Sequence, residues 1–107
     1  MIWKIVYTKK ALSDLDSIYE YISVVLMEPQ TAKSLTEKMM KEIRGLEQMP
    51  KRFHLAQEEN LKSQGIRVMN VKKYLVFYLP CDEEKTVKII RIFYGGRDVS
   101  KQLIETI

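Results

Sequence analysis

The sequence predicts an α+β fold: an N-terminal helical hairpin packed on a mostly antiparallel sheet of about four strands, in the order β-α-α-β-β-β. Three observations carry this. An alternating apolar segment at the start is followed by two stretches with helical apolar spacing, and three strand-like segments follow a polar loop. With 107 residues, the chain is read as one domain over residues 1–107. Apolar residues make up 46%, enough for a packed core.

Residues 2–7 alternate, with Ile2, Trp3, Ile5, Val6 and Tyr7, and read as a strand. Thr8 follows as a helix cap, because its hydroxyl can accept from free backbone N–H groups. Leu12, Leu15, Ile18/Tyr19, Ile22 and Val25/Leu26 then recur at helical spacing, with Asp14, Asp16 and Glu20 on other faces. Pro29 breaks this helix and opens the next, whose apolar residues are Ala32, Leu35, Met39, Ile43 and Leu46, and Pro50 ends it. Two helices this close in sequence form an antiparallel hairpin.

Residues 50–64 lack periodicity and read as a long loop, a feature that is often functional in compact domains. Gly65 to Val71 alternates, Ile66 and Val68 against Arg67, Met69 and Val71. Lys72-Lys73 is a tight turn, and Tyr74 to Leu79 is apolar almost throughout, as a central strand covered on both faces would be. Residues 80–85 form a polar turn. Val87 to Tyr94 alternates again, which places Val87, Ile89, Arg91 and Phe93 on one face and Lys88, Ile90, Ile92 and Tyr94 on the other. Gly95-Gly96 stops this strand, and Arg97 to Ile107 is expected to be a short helix. The first strand is expected to pair alongside a later one.

Composition narrows the function classes. The lone Cys81 excludes an internal disulfide framework and a four-cysteine zinc site. No signal peptide and no membrane-spanning run is visible, so a cytoplasmic protein without membrane contact is expected. The net charge of +4 is unevenly placed. Residues 1–50 hold seven Lys/Arg and seven Asp/Glu, while residues 51–107 hold eleven and seven. A polyanion or an acidic partner is therefore expected to dock on the second half.

Several phrases, in order, resemble the RelE/ParE toxin superfamily, the plasmid-stabilisation type toxins of type II toxin–antitoxin systems. They are Lys10-Ala11-Leu12-Ser13-Asp14-Leu15 after the opening strand, Ile18-Tyr19-Glu20-Tyr21-Ile22, and Gly45-Leu46-Glu47-Gln48-Met49-Pro50. Then come Gly65-Ile66-Arg67, Tyr74-Leu75-Val76-Phe77-Tyr78 and Ile90-Arg91-Ile92-Phe93-Tyr94-Gly95-Gly96-Arg97-Asp98. The resemblance covers residues 2–100. It implies a growth-arresting toxin encoded beside an antitoxin that wraps and blocks it, as a hetero-oligomer or with a toxin homodimer. It implies no cofactor and no metal.

Two targets are implied. The RelE-like branch cuts messenger RNA in the ribosomal A site, as an endoribonuclease (mRNA interferase), and this is the first expectation. The ParE-like branch poisons DNA gyrase without being an enzyme. A third reading is a degenerate toxin retained only as antitoxin partner and co-repressor.

Metal-independent RNA cleavage needs a group to deprotonate the 2′-hydroxyl, a cation for the phosphate, and an acid for the leaving 5′-oxygen. Arg67, Arg91, Tyr94 and His54 are the catalytic candidates. Lys51, Arg52, Lys72, Lys73, Lys88 and Arg97 are the candidates for binding nucleic acid or another target. Each has a plainer reading as a solvated or scaffold residue, and for His54, in the Lys51-Arg52-Phe53-His54 loop phrase, the plainer one is preferred. Arg67 and Arg91 are expected on neighbouring strands, forming one basic face with Lys72, Lys73, Lys88 and Arg97. Replacing both arginines with alanine is expected to abolish growth arrest and spare the fold.

Tyr94 stands where many relatives hold a histidine. RelE-like nucleases usually place an Arg directly after that position and a Tyr several residues on. Here Gly95 follows, Ser100 or Lys101 falls at the later position, and Leu75 stands where an Arg is frequent. The Tyr-Gly-Gly-Arg-Asp ending looks closer to the ParE-like side.

Overall fold

A computed structural model describes residues 2–95. The expected C-terminal helix, together with Arg97, lies outside the described residues. Strand β1 (Lys4–Tyr7) leads into helix α1 (Lys9–Glu20), and α2 (Pro29–Arg44) runs back. A five-residue helix, α3 (Glu59–Ser63), precedes strands β2 (Arg67–Val71), β3 (Tyr74–Cys81) and β4 (Thr86–Tyr94). The four strands form one sheet in the order β1-β4-β3-β2. β2, β3 and β4 pair antiparallel, and β1 joins the edge of β4 in parallel.

Thr8 caps α1 as its position implies. It sits in extended backbone, and its hydroxyl accepts from the Ala11 N–H at 3.1 Å. The stripe Ala11, Leu15 and Ile22 faces inward. It does not continue to Val25 and Leu26, which are exposed. At Tyr21–Val25 the helix widens into a π-turn, and the extra residue per turn rotates the apolar row away from the sheet. Pro29 opens α2 as its first residue. Ala32, Met39 and Ile43 of α2 and Leu46 beyond it are fully buried. Inside the expected loop, Pro50–Arg52 forms a 3-10 turn and Glu59–Ser63 forms α3.

Both faces of the sheet are covered. Under the hairpin lie Met69, Val71, Val76, Tyr78, Val87, Ile89 and Ile92. On the opposite face Ile66 and Phe77 pack with Ala56 and Leu61, so α3 and its loop cover what the hairpin does not. This explains the nearly unbroken apolar run of β3, whose side chains enter both clusters.

The strict alternation expected for β4 fails. Tyr78 pairs with Ile89 but Phe77 pairs with Arg91, so Ile90 is an extra, bulged residue. Val87, Ile89 and Ile92 therefore share the hairpin face, and Arg91 moves to the other side, opposite Phe77.

Tyr78 ties the loop to the sheet. Its hydroxyl, within the core, donates to the Pro50 carbonyl at 2.6 Å. Burial pushes its pKa up to about 12, with Arg67 and Arg52 pulling the other way. Tyr78→Phe is expected to cost about 1–2 kcal/mol, because the Pro50 carbonyl is left without its donor. Urea titration should show a lower midpoint at unchanged slope, and an unchanged midpoint would contradict the role. The folded state holds this proton more tightly than the unfolded chain does. The stability tied to that proton is full below pH 10 and is lost as pH rises toward 12, a decline that Tyr78→Phe should reduce.

Candidate functional site

The cationic residues singled out by the sequence do not converge on one point. Arg67 lies in register with Tyr78 and so points to the hairpin face. Arg91 lies in register with Phe77, on the opposite face. Their strands are not neighbours, since β3 runs between them. The expected pairing therefore fails twice: β3 separates the two strands, and the Ile90 bulge, which nothing in the composition of β4 signals, moves Arg91 to the other face.

Both arginines have structural partners. Arg67 Nη1 donates to the Phe53 carbonyl at 2.7 Å and so fastens the loop, which also bridges β2 through Leu55. Arg91 grips Asp14 of α1 in bidentate fashion, Nε to Oδ2 at 2.8 Å and Nη2 to Oδ1 at 2.9 Å. Asp14 Oδ2 also accepts from the Ile92 N–H at 2.9 Å. Both side chains of this pair are only 14% exposed. The guanidinium in addition covers the Phe93 ring, 4.4 Å from its centroid. Arg91 is thereby held by a carboxylate and a ring at once. Removing both arginines cannot be expected to spare the fold.

The loop cations are similarly placed. Arg52 donates to the carbonyls of Gly45 and Gln48, at 3.3 and 2.9 Å, closing the end of the α2 segment. Lys51 pairs with Asp82 at 2.8 Å, and its hydrogen bond holds the Asp82 carboxyl below the usual range. His54 is exposed, and its carbonyl accepts from Val68 N–H. Its backbone thus meets β2 at Val68, in the Phe77 row of the sheet, whereas Tyr94 lies in the Tyr74 row. Lys88 sits on the face away from the hairpin, in register with Val6 and Leu79.

Three of the named residues do come together. Lys72 and Lys73 at the β2–β3 turn border a notch of about 360 Å³ with Tyr94 and Asn70. Tyr94 meets Tyr74 edge to face, with ring centroids 5.6 Å apart. Desolvation raises the Tyr74 phenol's pKa, with Tyr94 and Tyr21 adding to the effect. On the other side of this tyrosine pair a cleft of about 740 Å³ runs between the hairpin and the sheet, bordered by Tyr21, Leu26, Glu28 and Thr31. Among the described residues no group of three or more His, Cys, Asp or Glu side chains is arranged to hold a metal ion, and no helix is long and apolar enough to cross a membrane.

A family model described as the ParE toxin of the type II toxin–antitoxin system parDE matches residues 5–99. The chain belongs to the ParE toxin family. Its fold is shared with three solved structures of 14–21% sequence identity. A chain of the chromosomal ParDE toxin–antitoxin system from P. aeruginosa is 21% identical at a TM-score of 0.72, over 87% of this chain and 96% of that one. A chain of the RelBE2 toxin–antitoxin complex from Mycobacterium tuberculosis is 20% identical at 0.60, over 88% and 99%. A mutant E. coli RelE toxin in the free state is 14% identical at 0.65, over 99% and 95%. No curated protein sequence matches the chain. The RelE/ParE superfamily assignment and the β-α-α-β-β-β architecture expected from the sequence both hold.

In this ParE-family chain Asp14 is the residue that sequence reasoning passed over. It stands in the family-like phrase Lys10 to Leu15, but helical spacing marks it only as lying off the apolar stripe. Tyr74 stands in an apolar strand and Tyr21 in a family-like phrase, and only the fold brings them to Tyr94.

Asp14→Ala leaves a largely buried guanidinium and the Ile92 N–H without their acceptor, and is expected to cost about 3 kcal/mol or more. Asp14→Ala and Arg91→Ala should be strongly non-additive in denaturation, coupled by about 1 kcal/mol or more. Simply additive losses would contradict the clamp.

Proposed function

We propose that this toxin arrests growth by binding a protein target, DNA gyrase, rather than by cutting messenger RNA, and that a cognate antitoxin blocks it by direct binding. The observation that carries this reading is the dispersal of the arginines. Cleavage needs a base, an acid and a phosphate-binding cation within hydrogen-bond reach of one nucleotide. Arg67 and Arg91 stand on opposite faces, each committed to a partner within the fold. The ParE family match supports the same branch. The antitoxin follows from type II membership and from the relatives named as a toxin–antitoxin system and a toxin–antitoxin complex.

The test is purified gyrase with negatively supercoiled plasmid. The protein is expected to make cleaved-DNA complexes accumulate, and the cognate antitoxin is expected to prevent it. Gyrase that supercoils normally at saturating protein would overturn the gyrase reading.

A second reading has one observation in its favour. The notch joins two lysines to an exposed tyrosine, a set that could bind a phosphate and stack a base. It predicts that the notch is essential to toxicity, whereas the gyrase reading places no demand on it. The variant Lys72→Asn with Lys73→Ala separates them, asparagine being chosen because Lys72 has a φ of 55°. Retained growth arrest is expected. Loss of arrest in a folded double variant would favour the RNA reading.

A further inference from the structure

The end of the helical hairpin is chemically unlike the rest of the molecule. From Ala11 to Ala32 the chain carries no Lys or Arg, yet it carries Asp14, Asp16, Glu20 and Glu28, in a protein of net charge +4. Arg91 neutralises Asp14, while the other three carboxylates are exposed. Between Glu20 and Glu28 there is no charged residue. Val24, Val25, Leu26 and Met27 are consecutive and are 66, 63, 47 and 82% exposed, with Tyr21 exposed beside them.

The backbone builds this exposure. The π-turn contributes one residue, Ile22, to the core. Met27 holds a left-handed φ of 57°, a conformation that costs a non-glycine residue on the order of 1 kcal/mol. π-turns and left-handed residues of this kind gather at functional positions. Scattered exposed apolar side chains are ordinary, but contiguous ones mark interaction surfaces. The five side chains together offer on the order of 500 Å², close to the apolar centre of a standard protein interface.

Charge decides what fits. The exposed carboxylates repel a phosphate backbone and any acidic partner segment. They complement an apolar surface set among basic residues. We propose that the hairpin end, Tyr21–Met27 with Glu20 and Glu28 at its rim, is the surface with which the toxin grips its target protein, at a site presenting apolar side chains between lysines or arginines. This rests on the protein-binding reading above and adds where the grip lies and what chemistry it takes. The cationic notch at Lys72 and Lys73 is then not the gripping surface.

Two full-length variants test it in cells, Val25→Asp with Met27→Asp, and Glu20→Lys with Glu28→Lys. All four side chains are exposed, so the fold is expected to persist by circular dichroism. Each double variant should weaken target binding by about tenfold or more and relieve growth arrest, while Met40→Asp, another exposed apolar position of the hairpin about 16 Å along α2 from its first residue, should not. Arrest undiminished in both variants would overturn the proposal. So would intact arrest that the cognate antitoxin no longer neutralises, since the surface would then be the antitoxin's.

A direct binding arm does not depend on toxicity or on gyrase. An amphipathic helical peptide of leucine and lysine should shift the amide resonances of residues 20–28. Its leucine-glutamate counterpart and oligolysine should not. No shift with the leucine-lysine peptide, or equal shifts with all three, would overturn the proposal. If the variants lose growth arrest while gyrase proves insensitive to the wild-type protein, the target named above falls and this surface stands.

Discussion

The placement of every functional feature depends on how α1 is fastened to β4. Beyond Ile89, β4 has no strand on its outer side, because β1 ends at Tyr7. Unpaired backbone groups there would be costly to cover with a helix. The chain satisfies them from α1 and its cap. The Thr8 amide donates to the Ile89 carbonyl and its hydroxyl to the Ile90 carbonyl, while Asp14 accepts from the Ile92 amide. Asp14 also takes up Arg91, which the bulge at Ile90 has turned out of the hairpin's core. One carboxylate thus closes the sheet edge, sets the position of α1 and compensates a cation that would otherwise sit largely buried and unpaired.

That fastening separates the molecule chemically. The hairpin is held so that its far end projects an acidic, apolar tip, and the cleft opens between that end and the tyrosines of β3 and β4. The described cations of the second half are spread instead over loop, edge and turn, and Lys51, Arg52, Arg67 and Arg91 are engaged with carbonyls or carboxylates. A positive net charge alone suggests a polyanion partner. The distribution of that charge in space, with acid and apolar side chains gathered at one end, is the ground on which a protein target is proposed.

Local chemistry in the sequence was a good guide to the elements. Thr8 caps, Pro29 opens a helix, Lys72-Lys73 turns, and the apolar stripes of α1 and α2 bury Leu15, Met39 and Ile43. What was not legible are the two places where one residue is inserted into a regular period. The π-turn at Tyr21–Val25 sends Val25 and Leu26 outward although their spacing says core. The bulge at Ile90 sends Arg91 across the sheet although its alternation places it with Ile89. Both insertions lie where elements meet, the hairpin connection in one case and the α1 fastening in the other. Helical spacing and strand alternation are local signals and carry no trace of them. The cations were therefore legible as residues, and where the fold puts them was not.

On the proposed reading, Arg52, Arg67 and Arg91 serve the fold and growth stops without a ribonuclease centre. Mapping messenger-RNA 5′ ends across cells within minutes of inducing the toxin, alongside uninduced cells, tests it most directly. The account predicts an unchanged pattern of ends at the moment growth stops. New ends recurring at fixed positions within codons of translated messages would contradict it.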